Sequence, residues 1–124
     1  MAKIFLIVDD SASMRQLIAF TIKDAGYDVL LAENGRDALE KMSRTKIDMV
    51  ITDLNMPEMD GITLIRELRG KADYKFVPII MLTTESQEGK KQAGRAAGAS
   101  GWLVKPFTPA QLMGVVNKFV KERR

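Results

Sequence analysis

The sequence contains no cysteine and no histidine. The missing thiols exclude disulfides, thiol nucleophiles and thiolate metal sites. The missing imidazoles exclude a histidine base, histidine-ligated zinc and phosphohistidine. No apolar run approaches the ~20 residues of a membrane-spanning helix, and the apolar stretch before Asp9 is too short for a secretory signal. We therefore expect a cytoplasmic protein with no membrane partner.

The sequence also has no strong excess of charge of one sign. Its formal net charge is +3, and the lysines and arginines are scattered among acids, so we expect no nucleic-acid partner. A length of 124 residues is typical of one domain with its own core. We expect a single domain over residues 1–124 that has no output domain and acts as a monomer.

Apolar runs and helical patterns alternate along the whole chain. The predicted strands are residues 3–8, 28–31, 47–52, 76–82 and 100–104. Helices are predicted after each strand, with N-caps at Ser13 (in a capping box with Gln16), Asn34 and Thr108. The third helix is predicted to begin after Asp60. This alternation and the short connections favour an α/β fold with a doubly wound, five-stranded parallel sheet and helices on both faces. A strand order that suits it is 2-1-3-4-5.

The fourth helix, predicted over residues 87–97, is the weakest of the five. It contains Gly89 and Gly94, each of which costs about 1 kcal/mol relative to alanine inside a helix. Its apolar face consists mostly of Ala93, Ala96 and Ala97. Poor propensity and little apolar burial predict that this helix is locally mobile.

Four of the predicted strands are followed by polar groups: Asp9 and Asp10, then Asp53, Thr83 and Lys105. Because the carboxyl ends of parallel strands meet at one edge, these groups are expected to converge there. Neighbouring carboxylates repel one another by about 4 kcal/mol at 4 Å, so such a site needs a cation. Oxygen ligands without nitrogen or sulfur favour Mg²⁺, with Mn²⁺ as a second choice.

A carboxylate beside Mg²⁺ is able to attack phosphorus and form an aspartyl phosphate. Thr83 would donate a hydrogen bond to a phosphoryl oxygen, and Lys105 would pair with another. Each of these residues also has an ordinary interpretation. The Asp9-Asp10 pair suits a turn and helix cap, Asp53 a turn, and the other two a strand end and a solvated lysine. Their joint appearance after four apolar runs favours the phosphoryl-transfer interpretation.

Four segments together resemble the receiver domain of two-component response regulators, in particular the stand-alone chemotaxis type. The resemblance covers essentially the whole chain and implies a flavodoxin-like fold with the strand order 2-1-3-4-5. The segments are Val8-Asp9-Asp10, Asp53 to Gly61 (DLNMPEMDG), Met81-Leu82-Thr83 and Gly98 to Phe107 (GASGWLVKPF).

The resemblance implies a role for each acid. Asp53 would accept a phosphoryl group from a histidine kinase or from acetyl phosphate. Asp10, Asp53 and the backbone carbonyl of Asn55 would bind Mg²⁺ directly, and Asp9 would bind it through water. Asn55 and Glu85 would flank the water that hydrolyses the acyl phosphate, so that the protein assists its own phosphorylation and dephosphorylation without being a turnover enzyme.

The resemblance also implies a switch. Thr83 and Lys105 would contact the phosphoryl group, and a cis peptide bond would join Lys105 to Pro106. Movement of Thr83 would let the aromatic residue of the fifth strand turn inward. That residue is usually Tyr or Phe in the family and is Trp102 here, so the inward turn needs more space.

The signal is expected to leave through the fourth helix, fifth strand and fifth helix, where Phe107 could add an apolar contact. The face is expected to be basic and to bind an acidic or amphipathic segment, by analogy with a flagellar motor switch protein. Its cations are Lys90, Lys91, Arg95, Lys105 and Lys118.

Three other functions remain open from the residues. A receiver of a non-motility phosphorelay would carry the same site. A magnesium-dependent phosphatase of the haloacid-dehalogenase type would also use Asp53, but it needs a second acid where this chain has Asn55. A flavin-binding electron carrier shares the fold, but Asp9 and Asp10 would repel the flavin phosphate.

Overall fold

A computed structural model describes residues 3–56, 58–84 and 88–122. Its strands are β1 (Ile4–Val8), β2 (Asp28–Ala32), β3 (Met49–Asp53), β4 (Ile79–Thr84) and β5 (Gly101–Lys105). Its α-helices are α1 (Ala12–Asp24), α2 (Gly35–Met42), α3 (Gly61–Arg69), α4 (Glu88–Ala97) and α5 (Pro109–Glu122). A short 3₁₀ helix, Ala72–Tyr74, follows α3. Within those ranges no helix combines the length and the apolar character that a bilayer crossing requires.

The five strands form one parallel sheet in the order β2-β1-β3-β4-β5. Alternate residues of each strand point to opposite faces, so the sheet has two separate buried clusters. One cluster packs beneath α2, α3 and α4 and includes Leu6, Val50 and Met81. The other packs beneath α1 and α5 and includes Ile7 and Ile51. The predicted flavodoxin-like fold, with its strand order and its helices on both faces, is confirmed.

Most of the predicted helix starts are also confirmed. The side chains of Asn34, Asp60 and Thr108 accept hydrogen bonds from backbone N–H groups of the first turns of α2, α3 and α5. The Lys105–Pro106 peptide bond is cis, as the resemblance implied.

The predicted cap of α1 was wrong. Ser11, not Ser13, is the N-cap, and its Oγ accepts a hydrogen bond from the N–H of Met14 at 3.3 Å. The helix therefore begins earlier, Ser13 lies in its first turn, and Gln16 is not part of a capping box. Leu17 is 43% exposed because the buried stripe of α1 runs through Ile18 and Ile22.

Two strands begin and end later than predicted. The apolar run 47–52 predicted β3, which spans Met49–Asp53, and the run 76–82 predicted β4, which spans Ile79–Thr84. Ile47 and Val77 are buried but precede the strands. An apolar residue indicates that its side chain is buried, but not that its backbone is hydrogen-bonded to a neighbouring strand. Asp53 and Thr83 thus lie within the strands, where the ladder fixes their backbone.

Helix α4 sits unusually close to the sheet at Gly94. A Cβ atom at Gly94 would lie 2.4 Å from the Cε of Met81, which is on β4 and is fully buried. Because Gly94 has no side chain, α4 is able to approach the sheet closely. Gly94 therefore has a packing role in addition to its cost in helix propensity. Met81 is paired in register with Trp102 of β5, so α4, β4 and the tryptophan meet here. The predicted mobility of α4 remains a prediction.

Candidate functional site

Three carboxylates meet at the carboxyl edge of the sheet, as predicted. Asp53 is the last residue of β3, and Asp9 and Asp10 directly follow the adjacent strand β1. One carboxylate oxygen from each lies within 4.8 Å of the others. Asp9 and Asp53 are buried and Asp10 is exposed, so the cluster forms a pocket with one side open to solvent.

Lys105 bridges the two buried acids. As the last residue of β5 it reaches across the end of β4, and its Nζ lies 3.1 Å from Asp53 Oδ1 and 3.2 Å from Asp9 Oδ2. The ammonium of Lys105 therefore belongs to the acidic pocket, although the residue also lines the groove beside Trp102. An ammonium between two carboxylates offsets their mutual repulsion.

Backbone N–H groups complete the support of the buried acids. The N–H of Leu54 donates to Asp53 Oδ1 at 2.9 Å, and the N–H of Ser11 donates to Asp9 Oδ1 at 2.9 Å. Each acid thus has a fixed orientation before any ligand binds.

The electrostatics of the pocket change two pKa values. Burial, followed by the negative charge of Asp9, raises the pKa of Asp53, although its hydrogen bond to Lys105 opposes this shift. Burial alone would lower the pKa of Lys105, but its bonds to Asp53 and Asp9 and their charges outweigh burial and raise it. The protein therefore holds a cationic lysine beside an aspartate whose negative charge is costly, which is a site prepared to receive a second cation.

The hydroxyl of Thr83 is the one buried side-chain polar atom without a hydrogen-bond partner in the described part of the chain. Thr83 is on β4, which lies between β3 and β5 and so between Asp53 and Lys105. A buried hydroxyl without a partner is costly, so this atom lacks a partner that a ligand of the pocket would supply. Asn55 lies two residues after Asp53 and is exposed. Glu85 lies outside the described residues.

The donors of the pocket fit a magnesium ion. They are oxygens of three carboxylates, the ligands that Mg²⁺ takes in proteins, and no described sulfur or imidazole competes. Asp10, the exposed member, is the carboxylate that Lys105 does not engage. Receiver domains bind Mg²⁺ at such an acidic pocket, and this cluster is suited to do the same.

Sequence reasoning missed Arg15. Its guanidinium, one turn into α1, donates to the backbone carbonyl of Asp9 at 2.6 Å. The available signal was a cation one turn after an acid pair at the start of a helix. That signal does not by itself show whether the cation contacts the carboxylates or the backbone.

Trp102 lies beside α4, in contact with two cations. Lys91 Nζ lies 5.8 Å and the Arg95 guanidinium 5.2 Å from the centre of the indole ring, both within the range of cation–π attraction. Arg95, Trp102 and Lys118 also line a groove between β5 and α5. Part of the expected basic and aromatic face is thus present, while the Lys105 ammonium points into the acidic pocket.

The sheet and its pocket define a flavodoxin-like protein with an acidic cluster that fits a cation at one strand edge. Residues 5–117 match the response regulator receiver domain. The chain belongs to this family and is a phosphorylation-activated signalling protein of the two-component type.

Several known proteins are similar over most of their length. The chain is 44% identical over 109 residues to the chemotaxis protein CheY1 of Helicobacter pylori, covering 86% of this chain and 88% of the relative. It is 41% identical to a CheY homologue of Campylobacter jejuni, covering 86% and 84%. The chemotaxis response regulator CheY4 of Vibrio cholerae superposes with a TM-score of 0.90 at 47% identity, covering 95% and 98%.

A receiver domain of a Pseudomonas aeruginosa sensor histidine kinase also superposes, with a TM-score of 0.89 at 28% identity. The match covers 98% of this chain and 99% of that domain. That structure has a magnesium ion coordinated in its active-site cleft.

Proposed function

We propose that this protein is a stand-alone chemotaxis regulator, active in the cytoplasm as a monomer, that is phosphorylated on Asp53 and then binds a motor protein. The observation that carries the proposal is the pocket itself: three carboxylates, the bridging Lys105 and the unpartnered hydroxyl of Thr83 at one strand edge. The stand-alone form is supported by relatives of similar length, since the chain covers 88% of one and 98% of another.

In the proposed reaction an Asp53 oxygen attacks the phosphorus of a phosphohistidine or of acetyl phosphate. A new oxygen–phosphorus bond forms, the bond from phosphorus to the leaving imidazole or acetate breaks, and the leaving group takes the electron pair. The N–H of Leu54 and Lys105 hold Asp53 Oδ1, so the other carboxylate oxygen is the one free to attack. Positioning and charge compensation of this kind are most of what phosphoryl transfer needs.

The metal would be held by Asp10, by Asp53 and by the backbone carbonyl of Asn55, with Asp9 contributing through water. When bound, Mg²⁺ would neutralise the negative charge of the phosphoryl oxygens. Mn²⁺ would serve as a substitute because it takes similar oxygen ligands.

The switch would begin at Thr83. A phosphoryl oxygen on Asp53 would accept a hydrogen bond from the Thr83 hydroxyl, and hydrogen bonds to charged groups contribute about 1.5–3 kcal/mol. Movement of Thr83 would open space for Trp102 and displace α4. Hydrolysis, assisted by Asn55 and Glu85 around the attacking water, would reset the protein.

The expected partners are a histidine kinase as phosphodonor and a downstream protein such as a flagellar motor switch protein. The downstream partner would bind the face formed by α4, β5 and α5. Lys91 and Arg95 lie against the indole ring of Trp102, and Lys118 adds a third cation to this face. This combination of positive charge and an aromatic ring favours an acidic, amphipathic segment as the partner. Attraction between a basic face and an acidic segment gives specificity and fast association.

The competing functions are not favoured. A phosphatase of the haloacid-dehalogenase type needs an acid at the position of Asn55, and the family match and the chemotaxis relatives point to a receiver. A flavin carrier would have to place a phosphate beside Asp9 and Asp10.

Removal of the metal is the direct test of the chemistry. With acetyl phosphate and Mg²⁺, the intact mass of the protein is expected to increase by one phosphoryl group. With EDTA in place of Mg²⁺ the gain is expected to fall at least tenfold, because the carboxylates then repel the phosphodonor. An equal gain without metal would contradict the magnesium role, and no gain under any condition would contradict the phosphoacceptor role.

Arg95→Ala is expected to weaken binding of the phosphorylated protein to the motor switch protein of the same organism about tenfold, since arginine is a frequent hot-spot residue. Arg66→Ala, an exposed arginine on α3, is the matched control and is expected to have no effect. Isothermal titration of both variants measures the affinity. Equal loss in both would show a general charge effect, and no loss in either would place the binding surface elsewhere.

A further inference from the structure

Arg15 makes a charged hydrogen bond to the backbone of the metal site. Its guanidinium donates to the carbonyl oxygen of Asp9 at 2.6 Å, and hydrogen bonds from an ionised donor are stronger than those between neutral groups. Arg15 is half-buried, so solvent competes with this bond less than it would at the surface. The guanidinium is directed at a peptide group and not at a carboxylate.

The carbonyl that Arg15 holds belongs to the peptide joining Asp9 to Asp10. Because a peptide unit is planar, fixing its oxygen fixes the plane and so restricts the direction in which the Asp10 side chain leaves the backbone. The bond from the N–H of Ser11 to Asp9 Oδ1 restrains the same turn from its other side.

Asp10 depends on this restraint more than the other two acids do. Asp9 and Asp53 each accept a backbone N–H and the Lys105 ammonium. No hydrogen bond or ion pair to the Asp10 carboxylate exists among the described residues, and Asp10 is exposed. Its orientation toward the pocket is therefore set by its backbone.

We propose that Arg15 is a positioning residue for Asp10: by holding the Asp9 carbonyl, it directs the exposed carboxylate of the trio toward the metal. The inference rests on the proposed function, because it assumes that the pocket binds Mg²⁺. It requires that Arg15, itself a cation, strengthens the binding of Mg²⁺ in the acidic pocket beside it.

Simple electrostatics predicts the opposite sign. A guanidinium near three carboxylates repels an incoming divalent ion, so its removal would tighten Mg²⁺ binding if charge alone mattered. Groups that orient metal ligands typically change metal affinity 10–100-fold when removed. The direction of the change therefore separates positioning from charge.

The experiment is isothermal titration of the unphosphorylated protein with Mg²⁺, at a temperature where thermal unfolding shows each variant to be folded. Arg15→Ala is expected to weaken Mg²⁺ binding about tenfold, and Arg15→Lys, which keeps a cationic donor, to lose less. Should Arg15→Ala not fold, Arg15→Met keeps the aliphatic volume without a donor and carries the same expectation. Unchanged or tighter binding in the donor-free variant would overturn the inference.

Two controls separate this inference from the function on which it rests. Gln16→Ala, the exposed neighbour on α1, is expected to bind Mg²⁺ like the wild type. Asp10→Asn is expected to lose most of the affinity. A wild-type protein that binds no Mg²⁺ would overturn the proposed function itself. Normal wild-type binding, weak binding by Asp10→Asn and unchanged binding by the Arg15 variants would overturn only the role of Arg15.

Discussion

Asp53→Asn is expected to accept no phosphoryl group and, at the same time, to make the metal-free protein more stable. The loss of phosphorylation follows from the loss of the attacking carboxylate. The gain in stability follows from the raised pKa of Asp53, which shows that folding disfavours its ionised form. An uncharged amide of the same shape avoids that cost while still accepting a bond from Lys105, and the gain is expected to be on the order of 1 kcal/mol.

The pH dependence of this gain has a definite sign. A carboxyl group with a raised pKa in the folded state favours folding while it is protonated and loses that contribution as pH rises through its folded-state value. The stability difference between Asp53→Asn and the wild type should therefore be small in acid and should grow with rising pH until Asp53 is fully ionised. Denaturant unfolding at several pH values, without metal, measures it.

Asp24→Asn is the control for Asp53→Asn, because Asp24 is an exposed acid at the end of α1. It is expected to be phosphorylated normally and to keep the stability of the wild type. A phosphoryl group appearing on Asp53→Asn would assign the acceptor to another residue. A loss of stability that is largest at high pH would show that the Lys105 ion pair outweighs burial.

Gly61→Ala is expected to destabilise the protein by about 3 kcal/mol or more and to impair phosphorylation in the fraction that remains folded. A Cβ atom at Gly61 would lie 2.3 Å from the backbone oxygen of Asp53 and 3.0 Å from the Cα of Leu54. Both neighbours are backbone atoms at the end of a central strand, so neither is able to rotate away, and overpacking of this kind costs at least 1–3 kcal/mol. Relief of the contact requires either α3 or the phosphoacceptor to move.

Gly114→Ala provides the contrast within a helix that has space. No atom lies within 4 Å of a Cβ built at Gly114 on α5, so the replacement is expected to stabilise by up to about 1 kcal/mol through helix propensity. Thermal unfolding of both variants gives the stabilities, and the initial rate of mass gain with acetyl phosphate gives the chemistry. A Gly61→Ala protein as stable as the wild type would show that the loop between β3 and α3 is free to shift.

The sequence could predict which residues reach the site because strand ends in a parallel sheet share an edge. Asp9, Asp10, Asp53, Thr83 and Lys105 follow or end apolar runs, and that order survives errors of up to three residues in the strand bounds.

The contacts within the site could not be predicted in the same way. That Lys105 bridges two acids, that Thr83 lacks a partner and that Arg15 bonds a backbone carbonyl are consequences of side-chain directions set by packing between distant segments. The cap of α1 failed for a related reason. Ser11 and Ser13 are both good capping residues, and the one chosen depends on where β1 delivers the chain.

The contact of Gly94 with Met81 bears on how little free energy phosphorylation has to supply to move α4. Helices usually lock onto a sheet through side chains that interdigitate, and sliding them requires those side chains to disengage. At this point α4 presents a bare backbone to a methionine, whose unbranched thioether adapts to different neighbours. We therefore expect alternative placements of α4 to be separated by a shallow barrier and a small energy gap. One new hydrogen bond to a charged group, such as that of Thr83 to a phosphoryl oxygen, contributes about 1.5–3 kcal/mol and would change the ratio of such placements roughly 10- to 150-fold.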